Sequence, residues 1–214
     1  MRTRQKTISI KATKAVLGRE LCMCLPFAHA MSGCDTTSSL YSIGKIKFMK
    51  LLESSQQIRS DILIFGDISA PTQEICDTGE KFVTLLYSGG SSATDLNQLR
   101  YLYAISPKFV SVERMPPTSR ACYYHSLRVH FQVSTWHHLK TVLRKEDYGF
   151  INEGSSVVPV ITDLPAAPPE LVQHIRCSFK SSKYLCLSCT CSKHRVPCSI
   201  HCKCEMQCIN NEQC

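Results

Sequence analysis

The chain has 214 residues, of which 43% are hydrophobic, so it is long enough for one ordinary domain with a core and one small module. Its formal net charge of +8 favours a polyanionic partner over a basic one. The longest apolar run, residues 21–31, is interrupted by Pro26 and is well short of the roughly 20 residues that a membrane helix needs. The N-terminus lacks a secretory leader pattern, so we expect an intracellular protein with no membrane segment.

Positive charge is concentrated near the N-terminus. Residues 1–50 contain nine Lys or Arg against only Glu20 and Asp35, and therefore carry a net charge of +7. This concentration is typical of contact with nucleic acid, and it is also compatible with an ordinary solvated surface.

The first predicted elements are short helices. Apolar residues at mixed three- and four-residue spacing predict two helices between residues 10 and 32, interrupted by Gly18 and Pro26. Another helix is predicted over residues 45–54. Its predicted inward side chains are Ile46, Met49, Leu51 and Leu52, and its outward side chains are Lys45, Lys47 and Lys50.

Three further helices are predicted next. The first covers residues 77–87, and the second covers 96–105 with Asp95 as its N-cap. The third follows two prolines and runs over residues 118–143, with Trp136 assigned to core packing. The chain is therefore predicted to be mainly α-helical.

The sequence divides into four segments. Residues 1–57 and 58–148 are helical, residues 149–175 contain Gly and Pro and are interpreted as a linker, and residues 176–214 form a small module with little regular secondary structure. No internal repeat is visible.

The last segment holds nine of the fourteen cysteines. Pairs separated by one to three residues let neighbouring thiolates converge on one tetrahedral ion, and soft thiolates favour zinc. A disulfide scaffold, a degenerate remnant and an iron–sulfur site are weaker alternatives. The predicted metal ligands are Cys177, Cys186, Cys189, Cys191, Cys198, Cys202, Cys204, Cys208 and Cys214.

Residues 186–210 resemble the tesmin-like CXC domain, a zinc module of nuclear DNA-binding proteins. In that family nine cysteines hold three zinc ions through bridging thiolates. This chain departs at one position, because Ser178-Phe179 follows Cys177 where a C-x-C pair normally opens the motif. Eight matched cysteines remain, and Cys214, His194 or His201 is a candidate substitute ligand, so the resemblance implies two or three Zn²⁺ ions.

Residues 25–45 resemble the Gly-Cys-Asp segment of PIN-like and flap-endonuclease-like nucleases, which makes residues 1–57 a partial region of that kind. The resemblance implies that Asp35 is a remnant ligand for a divalent ion such as Mg²⁺, bound only in a longer chain. A following Gly-Ile-Gly hairpin in that family presents backbone N–H groups to a DNA phosphate. By position Gly44, Lys45 and Lys47 would make these contacts, and Ser42 occupies the position of the first glycine.

Nearly the whole chain also resembles the C-terminal part of proteins encoded by animal mobile elements. The residues that carry this resemblance lie in 29–38, 96–101, 115–118 and 162–165. It implies an origin for the chain but not a reaction.

We assign no catalytic residue from the sequence. A two-metal nuclease needs several converging carboxylates, and only Glu20 precedes Asp35. Asp61 and Asp67 follow it and would require a different topology. Cys34 with His29 is a weak nucleophile hypothesis, and the adjacent pair His137–His138 points in two directions on a helix.

The leading hypothesis is zinc-dependent binding of nucleic acid, with DNA as the expected ligand and the nucleus as the expected location. Lys193, His194 and Arg195 are candidates for base contacts, and Tyr184 for phosphate or stacking contacts. Two alternatives stay open: a fragment of a metal-dependent nuclease whose N-terminal half is missing, and a zinc-stapled module for protein interaction. The sequence identifies no protein partner.

Overall fold

The structure is a computed structural model that describes residues 8–89, 93–105, 114–138, 140, 142–164, 190–193, 198 and 202–204. The chain separates into two compact units, Met1–Asp163 and Leu164–Cys214. The first unit is mainly helical, which confirms the predicted fold class. In the described part of the chain, no helix is long and apolar enough to cross a bilayer.

The first unit contains six α-helices, two 3-10 helices and two strands in its described part. They are α1 (Ile10–Met31), α2 (Lys45–Ser54), α3 (Gln56–Asp61), a 3-10 helix (Ile62–Gly66), α4 (Thr72–Ser88), α5 (Leu96–Ile105), α6 (Ser119–His137), a second 3-10 helix (Lys145–Tyr148), β1 (Phe150–Glu153) and β2 (Ser156–Pro159). In the second unit, α7 covers Thr190–Lys193.

Helix α1 is broken at Gly18 but continues through Pro26. Gly18 has φ 76° and ψ 167°, a conformation that glycine adopts without a Cβ penalty, so two helical segments meet there. The prediction of a break at Gly18 is confirmed, whereas the prediction of one at Pro26 is wrong. Burial of the flanking Phe27 and Met31 against other helices offsets the backbone hydrogen bond that Pro26 cannot donate.

Four phenylalanines form the centre of the core. The ring of Phe27 on α1 lies 4.7 Å from that of Phe65 and 4.9 Å from that of Phe82 on α4, and Phe48 on α2 lies 5.7 Å from Phe82. All four are essentially inaccessible to solvent. The edge-to-face contact of Phe27 with Phe82 is a favoured aromatic geometry, and the cluster therefore joins three helices and the first 3-10 helix.

Helix α6 lies against α1 and α4, and buried polar side chains join it to neighbouring segments. His125 Nε2 donates to the carbonyl oxygen of Met31, and His130 Nε2 donates to that of Asp67. Arg128 donates to the carbonyl oxygens of Gly149 and Val160, at 3.3 and 2.7 Å. These bonds tie α6 to backbone carbonyls near the ends of other elements, and the oxygens of Asp67 and Gly149 also accept from the backbone N–H groups of Ala70 and Val160.

Several details differ from the sequence predictions. Helix α6 was predicted over residues 118–143 but covers Ser119–His137, with Thr118 as its N-cap, and Trp136 near its end is 36% exposed instead of a core residue. Helix α2 has the predicted bounds, yet Ile46 is 74% exposed, and Phe48 and Leu52 are the buried positions.

The predicted N-cap Asp95 is confirmed, since its Oδ1 accepts from the backbone N–H of Gln98 at 2.8 Å.

An antiparallel hairpin occupies the start of the segment interpreted as a linker. Phe150 on β1 pairs with Pro159 on β2, and Glu153 pairs with Ser156 beside the turn. The hairpin is anchored on α6, because the ring of Phe150 lies 5.8 Å from that of Phe131 and Arg128 binds the adjacent carbonyls. Residues 165–175 of the predicted linker lie outside the described residues.

Candidate metal centre

Three cysteine side chains converge in the second unit. The Sγ atoms of Cys191, Cys198 and Cys202 all lie within 4.8 Å of one another, and those of Cys191 and Cys202 are 3.5 Å apart. All three residues are buried, with at most 2% of their surface exposed. Among the described residues this is the one group of His, Cys, Asp or Glu side chains with spacing suited to a metal ion.

The donor set fits zinc. With Zn–S bonds of about 2.3 Å, tetrahedral coordination places sulfur atoms about 3.8 Å apart, close to the separation of Cys191 and Cys202. Three thiolates without a carboxylate in the group suit a soft or borderline cation better than Mg²⁺ or Ca²⁺. The described cysteines form no disulfide with one another.

Local structure places these thiols. Cys191 is the second residue of the four-residue helix α7, and a turn at residues 202–204 carries Cys202. Cys204, in the same turn, is 4% exposed and is therefore a further candidate ligand. A Cys-x-Cys pair brings two sulfur atoms into one small region without any supporting core.

Exposed lysines accompany the buried thiols. Lys193 follows Cys191 by two residues on α7, and Lys203 separates Cys202 from Cys204; both lysines are exposed. The same short segments therefore hold ligands inward and positive charge outward. The other predicted ligands and contacts of this module lie outside the described residues: Cys177, Cys186, Cys189, Cys208, Cys214, Tyr184, His194 and Arg195.

In the first unit, the Gly-Cys-Asp segment forms a tight turn after α1. Cys34 and Thr37 pair through two backbone hydrogen bonds of 3.2 and 3.3 Å, and Thr37 Oγ1 donates to the carbonyl oxygen of Ala30 at 2.6 Å. Asp35 is exposed in this turn. Within the described part of the chain, no group of three potential ligands includes Asp35.

Cys34 is half-buried beside two hydroxyl groups. Partial burial by itself raises the pKa of the Cys34 thiol, but hydrogen bonds with Thr36 and Thr37 outweigh it and leave the pKa lowered. His29, the base considered for this thiol, stacks its ring on Trp136 at a centroid distance of 5.7 Å. The described contacts therefore assign His29 to a stacking interaction rather than to activation of Cys34.

The turn between α1 and α2 contains a serine in a backbone conformation that glycine usually adopts. Ser42 has φ 58°, in the left-handed region, and the backbone N–H of Ile43 donates to the carbonyl oxygen of Leu40 at 3.2 Å. Ile43 is buried, which fixes the turn on the core. Gly44 is the N-cap of α2, and a Cβ built on it would meet no atom within 4 Å, so the surface over this residue is open.

The two lysines predicted to accompany Gly44 differ in their surroundings. The Lys45 ammonium donates to the carbonyl oxygen of Gly33 at 2.8 Å and to Ser32 Oγ at 3.1 Å, which places its charge at the C-terminal end of α1. Positive charge is favourable there because of the helix dipole. Lys47 is exposed on the first turn of α2.

Some residues that shape these regions were missed from the sequence. Thr36 Oγ1 donates to Gln132 Oε1, which joins the Gly-Cys-Asp turn to α6, and Gln132 lies 96 residues further along the chain. No local pattern indicates such a pair, because a polar residue in a helix is normally read as exposed.

Comparison with protein-family models, with curated proteins and with solved structures finds no match. The fold and the site together define a mainly helical protein with a separate Cys-rich unit that contains a candidate metal centre.

Proposed function

We propose that this protein binds nucleic acid, with DNA as the ligand, through a Cys-rich unit that zinc holds in its folded form. The observation that carries the proposal is the convergence of the Cys191, Cys198 and Cys202 sulfur atoms within 4.8 Å. A small unit with this donor set gains folding free energy from the metal, because zinc binding and folding are coupled when no large apolar core is present.

Charge supports a polyanionic ligand. Lys193 and Lys203 are exposed directly beside the buried thiols, so a zinc cluster would present them from a rigid backbone. Ammonium groups fixed in this way contact phosphates and release counterions from DNA. The chain's net charge of +8 also favours a polyanionic ligand.

The first unit supplies a second region suited to phosphate. Helix α2 has no side-chain cap at Gly44, and the exposed Lys47 lies in its first turn, with the exposed Lys50 further along the helix. The left-handed φ at Ser42 supports the resemblance of this turn to the hairpin of PIN-like nucleases. A nuclear location and a mobile-element origin belong to the same proposal and rest on the sequence resemblance.

Hydrolysis by this chain is not part of the proposal. Asp61 is engaged by Lys81, whose ammonium lies 2.9 Å from its carboxylate, and by Gln57. Asp67 accepts from the backbone N–H and hydroxyl of Ser69 at 2.9 and 2.7 Å. Neither carboxylate joins Asp35 in a group of three ligands among the described residues.

A matched pair of cysteine substitutions tests the proposal. Cys198→Ser removes a sulfur atom from the cluster, whereas Cys22→Ser changes a partly exposed thiol on α1. Native mass spectrometry under reducing conditions counts bound zinc, and fluorescence anisotropy with a labelled duplex measures affinity. We expect two or three zinc ions in the wild type and in Cys22→Ser, and loss of both metal and affinity in Cys198→Ser. Protein that is free of metal, with cysteines paired as disulfides, would refute the proposal.

A further inference from the structure

We propose that Trp136 and His29 form a stacking surface for an unpaired base of single-stranded nucleic acid. This inference rests on the proposed function, because it specifies a second contact for the same class of ligand. It concerns only the first unit, and no cysteine of the metal centre takes part in it.

The geometry of the pair is that of two stacked rings at the surface. The Trp136 and His29 rings are nearly parallel, with an interplanar angle of 6° and a centroid distance of 5.7 Å. Parallel rings at this distance are offset, so the imidazole does not cover the whole indole face. Trp136 is 36% exposed and His29 is exposed, so both rings are accessible from solvent.

Neighbouring groups place the pair beside the Gly-Cys-Asp turn. Gln132 precedes Trp136 by one helical turn on α6, and Gln132 accepts the hydrogen bond from Thr36. The carbonyl oxygen of Gly33, at the other end of this turn, binds the Lys45 ammonium. Stacking rings and a cation are thus arranged around one turn, a combination found where proteins bind single-stranded nucleic acid.

A single strand fits this surface better than a duplex. In a duplex both faces of each base are covered by neighbouring bases, whereas an unpaired base offers its face to an aromatic side chain. The exposed carboxylate of Asp35 lies in the same turn and repels a phosphate group close to it. The base, rather than the backbone, is therefore expected to supply most of the contact with the rings.

The chain contains one tryptophan, so its fluorescence reports on this surface directly. The test titrates the full-length, zinc-loaded protein with an oligothymidylate and follows both tryptophan emission and the anisotropy of the labelled oligonucleotide. We expect emission to be quenched in step with binding. Trp136→Ala should weaken oligothymidylate binding by about 5- to 150-fold, the usual range for loss of one stacked base.

Trp136→Phe is the matched variant because it keeps an aromatic face. It should retain most of the affinity, and circular dichroism checks that both variants are folded. Binding of oligothymidylate without quenching, no binding at all, or equal loss in the Phe and Ala variants would overturn the inference. Binding of a duplex, measured in parallel on the wild type, reports separately on the proposed function.

Discussion

The imidazole Nε2 atom of His125 lies 3.0 Å from the carbonyl oxygen of Met31, so a buried histidine on α6 joins the last residue of α1. A carbonyl oxygen only accepts hydrogen bonds, which requires the proton of the neutral ring to be on Nε2. Burial, together with the nearby charge of Arg128, lowers the pKa of His125 to about 4, and the bond to Met31 opposes this only partly.

The first prediction is that acid destabilises the first unit through His125. Because the folded-state pKa is about 4 and the unfolded value is about 6.5, the unfolded chain binds the proton more tightly. The neutral His125 ring contributes about 3 kcal/mol to the unfolding free energy. This contribution is fully present above about pH 6.5 and is lost as the pH falls towards 4. Burial also lowers the pKa of His130, which adds to the effect in the same direction.

Urea unfolding followed by Trp136 fluorescence measures this dependence in the first unit. His125→Gln keeps a donor near Met31 but cannot titrate, so the decline in unfolding free energy between pH 6.5 and 4 should be shallower in the variant. Equal slopes in wild type and variant would show that His125 is not the group responsible.

The second prediction concerns the close packing of α4 on α6. A Cβ added at Gly79 would lie 2.0 Å from Ser126 Oγ and 2.9 Å from its Cβ, well inside contact distance. Gly79→Ala should therefore lower the unfolding free energy by about 1–3 kcal/mol, although alanine is the better helix former. Calorimetry or urea unfolding gives the value, and adding Ser126→Ala should recover part of the loss. An unchanged unfolding free energy in Gly79→Ala would show that α4 and α6 can move apart at this contact without loss of stability.

The third prediction concerns the left-handed residue between α1 and α2. At Ser42, with φ 58°, glycine avoids the Cβ clash of the left-handed region. Ser42→Gly should leave stability unchanged or raise it by up to about 1 kcal/mol, and Ser42→Val should lower it. Ser38→Gly, at an exposed position without positive φ, is the control and should be mildly destabilising. If Ser42→Gly lowers the unfolding free energy as much as Ser38→Gly does, the left-handed conformation of Ser42 is contradicted.

The fourth prediction is that this chain does not cleave DNA with Mg²⁺ or Mn²⁺. Asp35 is exposed, and one carboxylate cannot hold two cations, so a bound Mg²⁺ would stay largely hydrated and weakly retained. Flap and single-stranded substrates incubated with wild type and Asp35→Asn should stay equally intact. Cleavage by the wild type that disappears in Asp35→Asn would make the protein an enzyme.

The helices were the part of the fold that the sequence predicted best. Helix α2 and helix α5 have the predicted bounds, because apolar spacing predicts both helices and Asp95 marks the start of α5. Periodicity does not determine how much of an apolar stripe the neighbouring elements cover. Ile46 and Trp136 lie at the edges of such stripes and stay exposed.

Buried polar residues were the part that could not be predicted. Helix α6 buries His125, Arg128, His130 and Gln132, each of which bonds to a segment distant in sequence. The end of α6 is fixed in the same way, since His138 Nε2 donates to the carbonyl oxygen of Gly66 at 3.1 Å and stops the helix short of residue 143. These partners are set by tertiary packing, which local patterns do not encode.

For the metal site, the spacing of the cysteines predicted that thiols would converge, and Cys191, Cys198 and Cys202 do so. Only three residues separate Cys198 from Cys202, and this short spacing restricts where their sulfur atoms can lie, so this part of the group is local and readable. The expected number of zinc ions, two or three, would depend on which thiolates bridge, and the spacing pattern does not specify bridging.

The most direct test of the central claim is the affinity of the full-length chain for a labelled duplex before chelation, after chelation, and after zinc is restored. The zinc-loaded protein should bind with an affinity that falls steeply as salt rises, chelation should weaken binding at least about tenfold, and zinc should restore it under reducing conditions. If the chelated protein, shown by native mass spectrometry to be free of metal, binds the duplex as tightly as the zinc form, the claim of zinc-dependent DNA binding is wrong.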